Sequence, residues 1–296
     1  MRTSFINQLI IEARNNPLIF LLTGDLGFSV LEPFENEFPN RYMNVGVAEQ
    51  NMTGIAAGLA IEGFKVFTYS IANFPTLRCL EQIRNDVCYH NLDVTVVAVG
   101  GGFSYGALGA SHHATEDIGI LRTIPNFRIY APGDPIETEL TVQHLVKHKG
   151  PAYIRLGKAG EPVINKSNLS LESITCNCIK KGTQTAILTT GSILNYVYDS
   201  VLNTEFSLFS IPLIKPIDQN SILKIAQNHS NIITIEEHQR SSGFGSLILE
   251  TLNDLFENGL ISSLPKVKRI AIPDSFYYFA GSQDFLREEA GLKFIR

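Results

Sequence analysis

Short apolar runs alternate with stretches of helical spacing through most of the chain. Residues 18–22 (LIFLL), 65–68 (KVFT), 94–99 (VTVVAV), 127–130 (FRIY) and 152–155 (AYIR) read as strands. Residues 1–16 read as a first helix, and residues 51–61, 80–89, 116–122 and 135–147 as further helices. Strands that are apolar on both faces and separated by helices predict a largely parallel sheet covered by helices on both sides. After residue 164 the pattern breaks. Residues 165–180 (NKSNLSLESITCNCIK) are polar and weakly patterned, as in a linker. A second alternation follows, with strands at 185–189, 206–211 and 232–235 and helices ending near 202, at 221–229 and at 245–258. The expected fold is therefore α/β in two domains, residues 1–168 and 169–296, the second with a smaller mixed sheet.

Length and composition agree with this division. The chain has 296 residues, enough for two domains of about 100–200 residues each. Hydrophobic residues make up 44% and charged residues 18%, which fits a soluble protein with a sizeable core. The net charge is -5 and no basic stripe occurs, so nucleic acid is not an expected partner. No apolar run reaches the roughly 18 residues of a membrane helix. The first helix contains Glu12 and lacks a cleavage signal, so it does not read as a signal peptide. Cys79, Cys88, Cys176 and Cys178 lack the paired spacing of a zinc site and read as free thiols of a reducing compartment, so a cytoplasmic location is expected.

The segment with the sharpest chemistry is residues 44–52 (NVGVAEQNM). A strand-like lead-in meets Gly46, and a helix rich in Ala and Gly follows. Glu49 then lies in the first helical turn at the C-terminal end of a strand, where open α/β sheets bind ligands. A carboxylate there also complements the helix N-terminus without any further role. Three other residues admit two readings each. Phe74 suits a stacking face or a core, His112 a site or a surface loop, and Asp25 a site or turn chemistry after Gly24.

Gly46-Val-Ala-Glu-Gln-Asn-Met52 resembles the pyrimidine-domain signature of transketolases and 1-deoxyxylulose-5-phosphate synthases. Residues 21–26 (LLTGDL), 69–85 (YSIANFPTLRCLEQIRN), 109–113 (GASHH), 120–126 (ILRTIPN) and 131–134 (APGD) are similar to that family in order and spacing. Residues 182–191, 215–218 (KPID) and 236–238 (EEH) resemble its C-terminal domain, so the likeness covers nearly the whole chain. The resemblance implies thiamine diphosphate as cofactor. It implies that Glu49 hydrogen-bonds the aminopyrimidine and favours its imino tautomer, that Phe74 stacks on that ring, that Asp25 approaches the thiazolium, and that His112 faces the substrate carbon. Arg2, Ser29 and Lys158 fall where the family contacts a sugar phosphate, which makes them substrate-binding candidates. Lys158 stands near a family Arg and can hold phosphate only as a point charge.

The likeness also has gaps. The family's diphosphate and metal motif, Gly-Asp-Gly followed about 30 residues later by Asn-Asn, does not occur. The resemblance therefore implies the second half of a split enzyme. Its partner chain would carry the diphosphate and the Mg2+ or Ca2+ ion, this chain would contribute no metal ligand, and a dimer within an α2β2 assembly is expected. Gly100 and Leu108 fall where the family has a substrate-binding His and a hydroxyl-reading Asp. That puts an ordinary pentose phosphate in doubt. The implied activity is transfer of a two-carbon ketol unit between a ketose and an aldehyde, with an unusual sugar or a sulfonated ketose as runner-up donors. The competing expectations are acyl-anion transfer from a 2-oxo acid and a non-catalytic subunit.

Overall fold

A computed structural model describes residues 1–165 and 169–293. Its first part runs α1 (Arg2–Asn15), β1 (Ile19–Thr23), α2 (Glu32–Glu37), β2 (Tyr42–Asn44), α3 (Glu49–Ile61), β3 (Lys65–Ile71), the short turns α4 (Asn73–Thr76) and α5 (Leu80–Gln82), β4 (Val94–Val99), α6 (Asp117–Arg122), β5 (Arg128–Tyr130), α7 (Pro135–Lys147) and β6 (Ala152–Leu156). The second part runs β7 (Asn177–Lys180), β8 (Thr185–Thr189), α8 (Ile193–Leu202), β9 (Ser207–Ser210), β10 (Leu213–Lys215), α9 (Gln219–Asn228), β11 (Asn231–Gln239), α10 (Phe244–Glu257), β12 (Lys266–Ile272) and α11 (Gln283–Glu289). The fold is thus two α/β units with mainly parallel sheets, as the apolar strands predict. The expected boundary at residue 168 lies outside the described residues.

The first sheet has the order β10-β5-β6-β4-β3-β1-β2, parallel except for β10. Alternation along each strand divides its side chains between two cores. Phe67, Tyr69, Val97 and Val99 pack with Phe5 and Leu9 of α1 and Leu145 of α7. Val66, Val96 and Ala98 pack with Met52 and Ala56 of α3 and Leu121 of α6. The second sheet, β12-β11-β8-β9-β7, is parallel except for β7.

Three elements depart from the sequence reading. The end of the expected linker forms β7, an antiparallel edge strand against β9. The helix expected over 80–89 changes at Ile83–Cys88 into a π-helical turn, in which the Tyr89 N–H reaches back five residues to the Arg84 carbonyl at 3.0 Å. The strand β10 comes from the second part of the chain but completes the first sheet, antiparallel to β5.

Buried polar groups join the two units. Arg155 on β6 donates to Asp117 Oδ2 at 2.8 Å, to the Ala114 carbonyl at 2.7 Å and to the Glu237 carbonyl at 3.0 Å. The 236–238 stretch has three packing roles. Glu236 accepts the Phe244 and Gly245 N–H groups at the start of α10, Glu237 accepts from the Phe103 N–H and Arg287, and His238 Nε2 accepts the Gly119 N–H. Burial holds His238 below the usual histidine range, as that acceptor role requires.

Candidate functional site

The site forms at the C-terminal edge of the first sheet, where β1 gives way to the Gly24–Asp25 turn and β3 ends at Ile71. Gly24 lies against Glu49, close enough that a Cβ there would sit 3.4 Å from Glu49 Cγ. Glu49 is the first residue of α3 and is only 1% exposed. Ser70 donates its hydroxyl to Glu49 Oε1 at 3.3 Å, and Arg78 Nη1 donates to Oε2 at 2.6 Å. A buried carboxylate needs such partners, since an unpaired charge out of water is costly. The Arg78 side chain is 45% exposed and its guanidinium lies 4.8 Å from the centroid of the Phe74 ring. Phe74 meets His112 edge to face, with centroids 5.2 Å apart. His112 Nδ1 is 3.0 Å from Ser111 Oγ. The loop carrying both is tied down by Asn73, whose amide donates to the carbonyls of Ser111 and His113.

Asp25 reaches this arrangement through Asn44. The Asn44 side-chain oxygen accepts the N–H groups of Asp25 and Gly46, each at 3.0 Å, and its amide donates to Asp25 Oδ1 at 3.1 Å. Asp25 has a φ of 59°, which Asp tolerates better than most residues. One Asn thereby fixes both the turn after β1 and the approach to α3.

The substrate candidates do not form one cluster with Glu49. Ser29 is exposed, with its N–H bonded to Glu32 Oε1 at 2.7 Å. The Lys158 ammonium lies 5.3 Å from the Tyr105 ring centroid. Arg2 acts electrostatically on Tyr69 and Tyr105. Leu108 is 56% exposed and offers no polar atom from its side chain. Among the described residues, no group of three or more His, Cys, Asp or Glu side chains is arranged to hold a metal ion.

Sequence reasoning missed Arg78, Ser70 and Asn44. Arg78 had a usable signal, because it follows Phe74 by four residues and residues so spaced meet on a helical turn. Ser70 and Asn44 had none, since their roles depend on which strands become neighbours. A cavity of about 850 Å3 between α6 and the residues after β11 and β12 includes Glu116, His238, Ser242, Asp274 and Tyr278, and none of the predicted site residues lines it. Chemistry and partners, not cavity size, define the site at Glu49.

A buried, cation-paired carboxylate and an aromatic face thus lie at the strand ends of an open α/β sheet, the place where two-domain α/β proteins of this kind bind ligands. Residues 1–160 match the family model for the transketolase pyrimidine binding domain, and residues 175–293 match that for the transketolase C-terminal domain. The chain is 36% identical over 280 residues to an apulose-4-phosphate transketolase subunit of Phocaeicola vulgatus, covering 92% of this chain and 87% of that one. It is 29% identical to the 6-deoxy-6-sulfo-D-fructose transketolase subunit SqwH of Clostridium sp. (strain MSTE9), covering 99% and 90%. A solved structure described as a split gene transketolase, inactive beta4 tetramer, superposes with a TM-score of 0.84 at 28% identity, covering 99% and 93%. The chain belongs to the transketolase family and carries that family's pyrimidine-binding and C-terminal domains. No helix among the described residues is long and apolar enough to cross a membrane.

Proposed function

We propose that this chain is the pyrimidine-side component of a thiamine-diphosphate-dependent split transketolase, which transfers a two-carbon ketol unit from a ketose to an aldehyde. One observation carries the reading. Arg78 lays a flat cation on the Phe74 face and bonds it to the buried Glu49 carboxylate. An aminopyrimidine, also flat and with a ring nitrogen at its edge, meets the same two demands, so the residues fit the cofactor. Arg78 is exposed enough to turn aside. When bound, thiamine diphosphate supplies a nucleophilic carbon and an electron sink for breaking the donor's carbon–carbon bond.

The chain's residues then divide the work. Glu49 holds a proton at the ring nitrogen through a bond in a site closed to water. Phe74 fixes the plane of the ring by offset stacking. Asn44 orients Asp25 toward the same edge. His112, held at Nδ1 by Ser111, has Nε2 left to hold or move a proton at the donor's carbonyl oxygen. Arg2, Ser29 and Lys158 are assigned to the substrate side.

The partner chain, an N-terminal transketolase subunit, holds the diphosphate and its Mg2+ or Ca2+ ion, in an α2β2 assembly built on a dimer of this chain. Support comes from the relatives, which are described as single subunits of transketolases, and from a structural neighbour described as the inactive beta4 tetramer of a split gene transketolase. The assignment extends to a cytoplasmic location. The test is turnover of the chain reconstituted with its partner and thiamine diphosphate. Wild type is expected to transfer ketol units without releasing carbon dioxide, and Glu49→Ala to lose at least about 100-fold in kcat. Full activity in Glu49→Ala, or carbon dioxide release with a 2-oxo acid donor, overturns the proposal.

A further inference from the structure

The cavity of about 850 Å3 beside α6 takes no part in the chemistry assigned to Glu49. Hydrogen bonds between its walls fix its shape. The Gly119 N–H of α6 donates to His238 Nε2 at 3.0 Å, and Arg122 Nη1 donates to the Ser242 carbonyl at 2.8 Å. The Gln239 N–H donates to the Thr115 carbonyl and the Arg240 N–H to the Ile272 carbonyl, each at 2.8 Å. These bonds tie α6 to the end of β11, and β11 to the end of β12. The space between them is therefore formed before anything enters it, as small-molecule sites usually are.

Two aromatic rings stand at its rim. In the stretch after β12, Tyr277 meets the buried Phe103 ring edge to face, with centroids 5.2 Å apart. Its neighbours Phe276 and Tyr278 are instead 69% and 89% exposed, and both line the cavity. Large rings held out in water beside a cavity point to something that covers them. The charge of the lining is one-sided. Glu116 and Asp274 line the cavity, and among the described residues no Lys or Arg does. Neither acid belongs to an ion pair among the described residues. Arg122, on the same helix, sends its guanidinium to Glu250 instead. Negative charge without a cation repels phosphates, sulfonates and carboxylates. Beside open aromatic faces it suits a cation on a flat apolar body, which gains from the carboxylates and the rings together.

The cavity also reaches toward Phe74 and His112. Glu116, Ser275 and Phe276 line both it and a smaller cavity of about 140 Å3, whose wall includes Asn73 and His113. Asn73 and His113 are the two ends of a bond that ties down the loop carrying His112. We propose that the larger cavity is an effector site for a flat organic cation, an amine on an aromatic body, whose presence is felt at His112 through residues 113–116. The binding site stands on its own geometry, and only its effect on turnover rests on the ketol-transfer reading.

Tryptamine, indole-3-ethanol and indole-3-acetate share one flat body and differ in charge. The chain contains no tryptophan, so indole emission excited beyond the tyrosine band reports the probe alone. Titrated with the full chain, tryptamine is expected to bind at least about fivefold more tightly than indole-3-ethanol, and indole-3-acetate more weakly than either. Asp274→Asn and Tyr278→Leu, both at exposed positions, should each reduce the tryptamine preference about threefold, while Glu49→Ala leaves it unchanged. Equal affinity for the three probes, or a preference that both variants keep, overturns the cation site. A preference lost only in Glu49→Ala puts the probe at Glu49 and overturns it too. With the partner and thiamine diphosphate present, saturating tryptamine is expected to change KM or kcat at least about twofold in wild type and not in Asp274→Asn. Unchanged kinetics, or binding abolished by the partner, overturns the effector role. If wild type shows no ketol transfer at all, that reading has failed, and the order of probe affinities still decides the site.

Discussion

Removing Arg78 leaves Glu49 buried with only the Ser70 hydroxyl for a side-chain partner. Breaking a fully buried pair costs several kcal/mol, and the exposure of Arg78 reduces this, so Arg78→Met is expected to cost about 1–2 kcal/mol in urea denaturation. The double variant Arg78→Met with Glu49→Gln should recover most of the loss. If it does not, the pair is not what Arg78 contributes. A second buried acid gives a pH signature. Glu137 is fully buried and accepts from the Gly133 N–H, Ser210 and Asn165, with no cation among these partners. Burial pushes its carboxyl up to about 7, and Glu236 behaves in the same way. A folded-state pKa above the unfolded one means that the native state binds the extra proton. The stabilisation is full below about pH 4.5 and is lost as pH rises through about 7. Glu137→Gln is expected to remove roughly 2 kcal/mol of that pH-dependent loss, leaving the Glu236 share, when midpoints at pH 5 and pH 7.5 are compared. Glu49, Phe74 and His112 stood out in the sequence as candidates because each sits in a local motif. Arg78 acting on Glu49, and Asn44 tying Asp25 to the approach to α3, did not, because each is a meeting of residues that only the folded chain brings together.

At the scale of elements, α7 shows how one cap serves two purposes. Asp134 Oδ1 accepts the Glu137 N–H at 2.9 Å, while Oδ2 accepts the N–H groups of Ile164 and Asn165 at 2.9 and 2.7 Å. Asp134→Ala is therefore expected to cost more than an ordinary cap, about 3 kcal/mol, read from denaturant midpoints. The α3 helix carries the opposite arrangement. Asn51, Gly54, Gly58 and Ile61 are exposed along one face, and a Cβ at Gly54 or Gly58 meets nothing. Gly58→Ala should stabilise the isolated chain by about 0.5–1 kcal/mol through helix propensity. It should also weaken assembly with the partner if that face is covered there, as sedimentation at matched concentrations would show. The parallel strands of both units were legible because apolar runs of that length have few other uses. The edge strands β7 and β10 were not. They are three or four residues long and owe their structure to a neighbour rather than to their own pattern.

At the scale of the molecule, the two units share Arg155, Glu237 and Glu137 as buried anchors, and they share a sheet. A single cooperative urea transition is expected, reported identically by tyrosine fluorescence and far-ultraviolet circular dichroism. Two resolved transitions would show that the shared groups do not couple the units. The division into two α/β units was legible in the sequence, but their interlocking was not, because no local pattern marks a residue that bonds across 82 positions, as Arg155 does to Glu237.

The strand β10 carries this further. It lies beyond the polar stretch that looks like the natural place to cut the chain, yet it covers the edge of β5. A fragment ending at residue 165 would present that edge bare, a template for unwanted strand pairing. The linker is therefore a poor site for fusion, insertion of a cleavage tag or expression of separate halves. Although the chain reads as two domains, for the protein engineer it is one indivisible part.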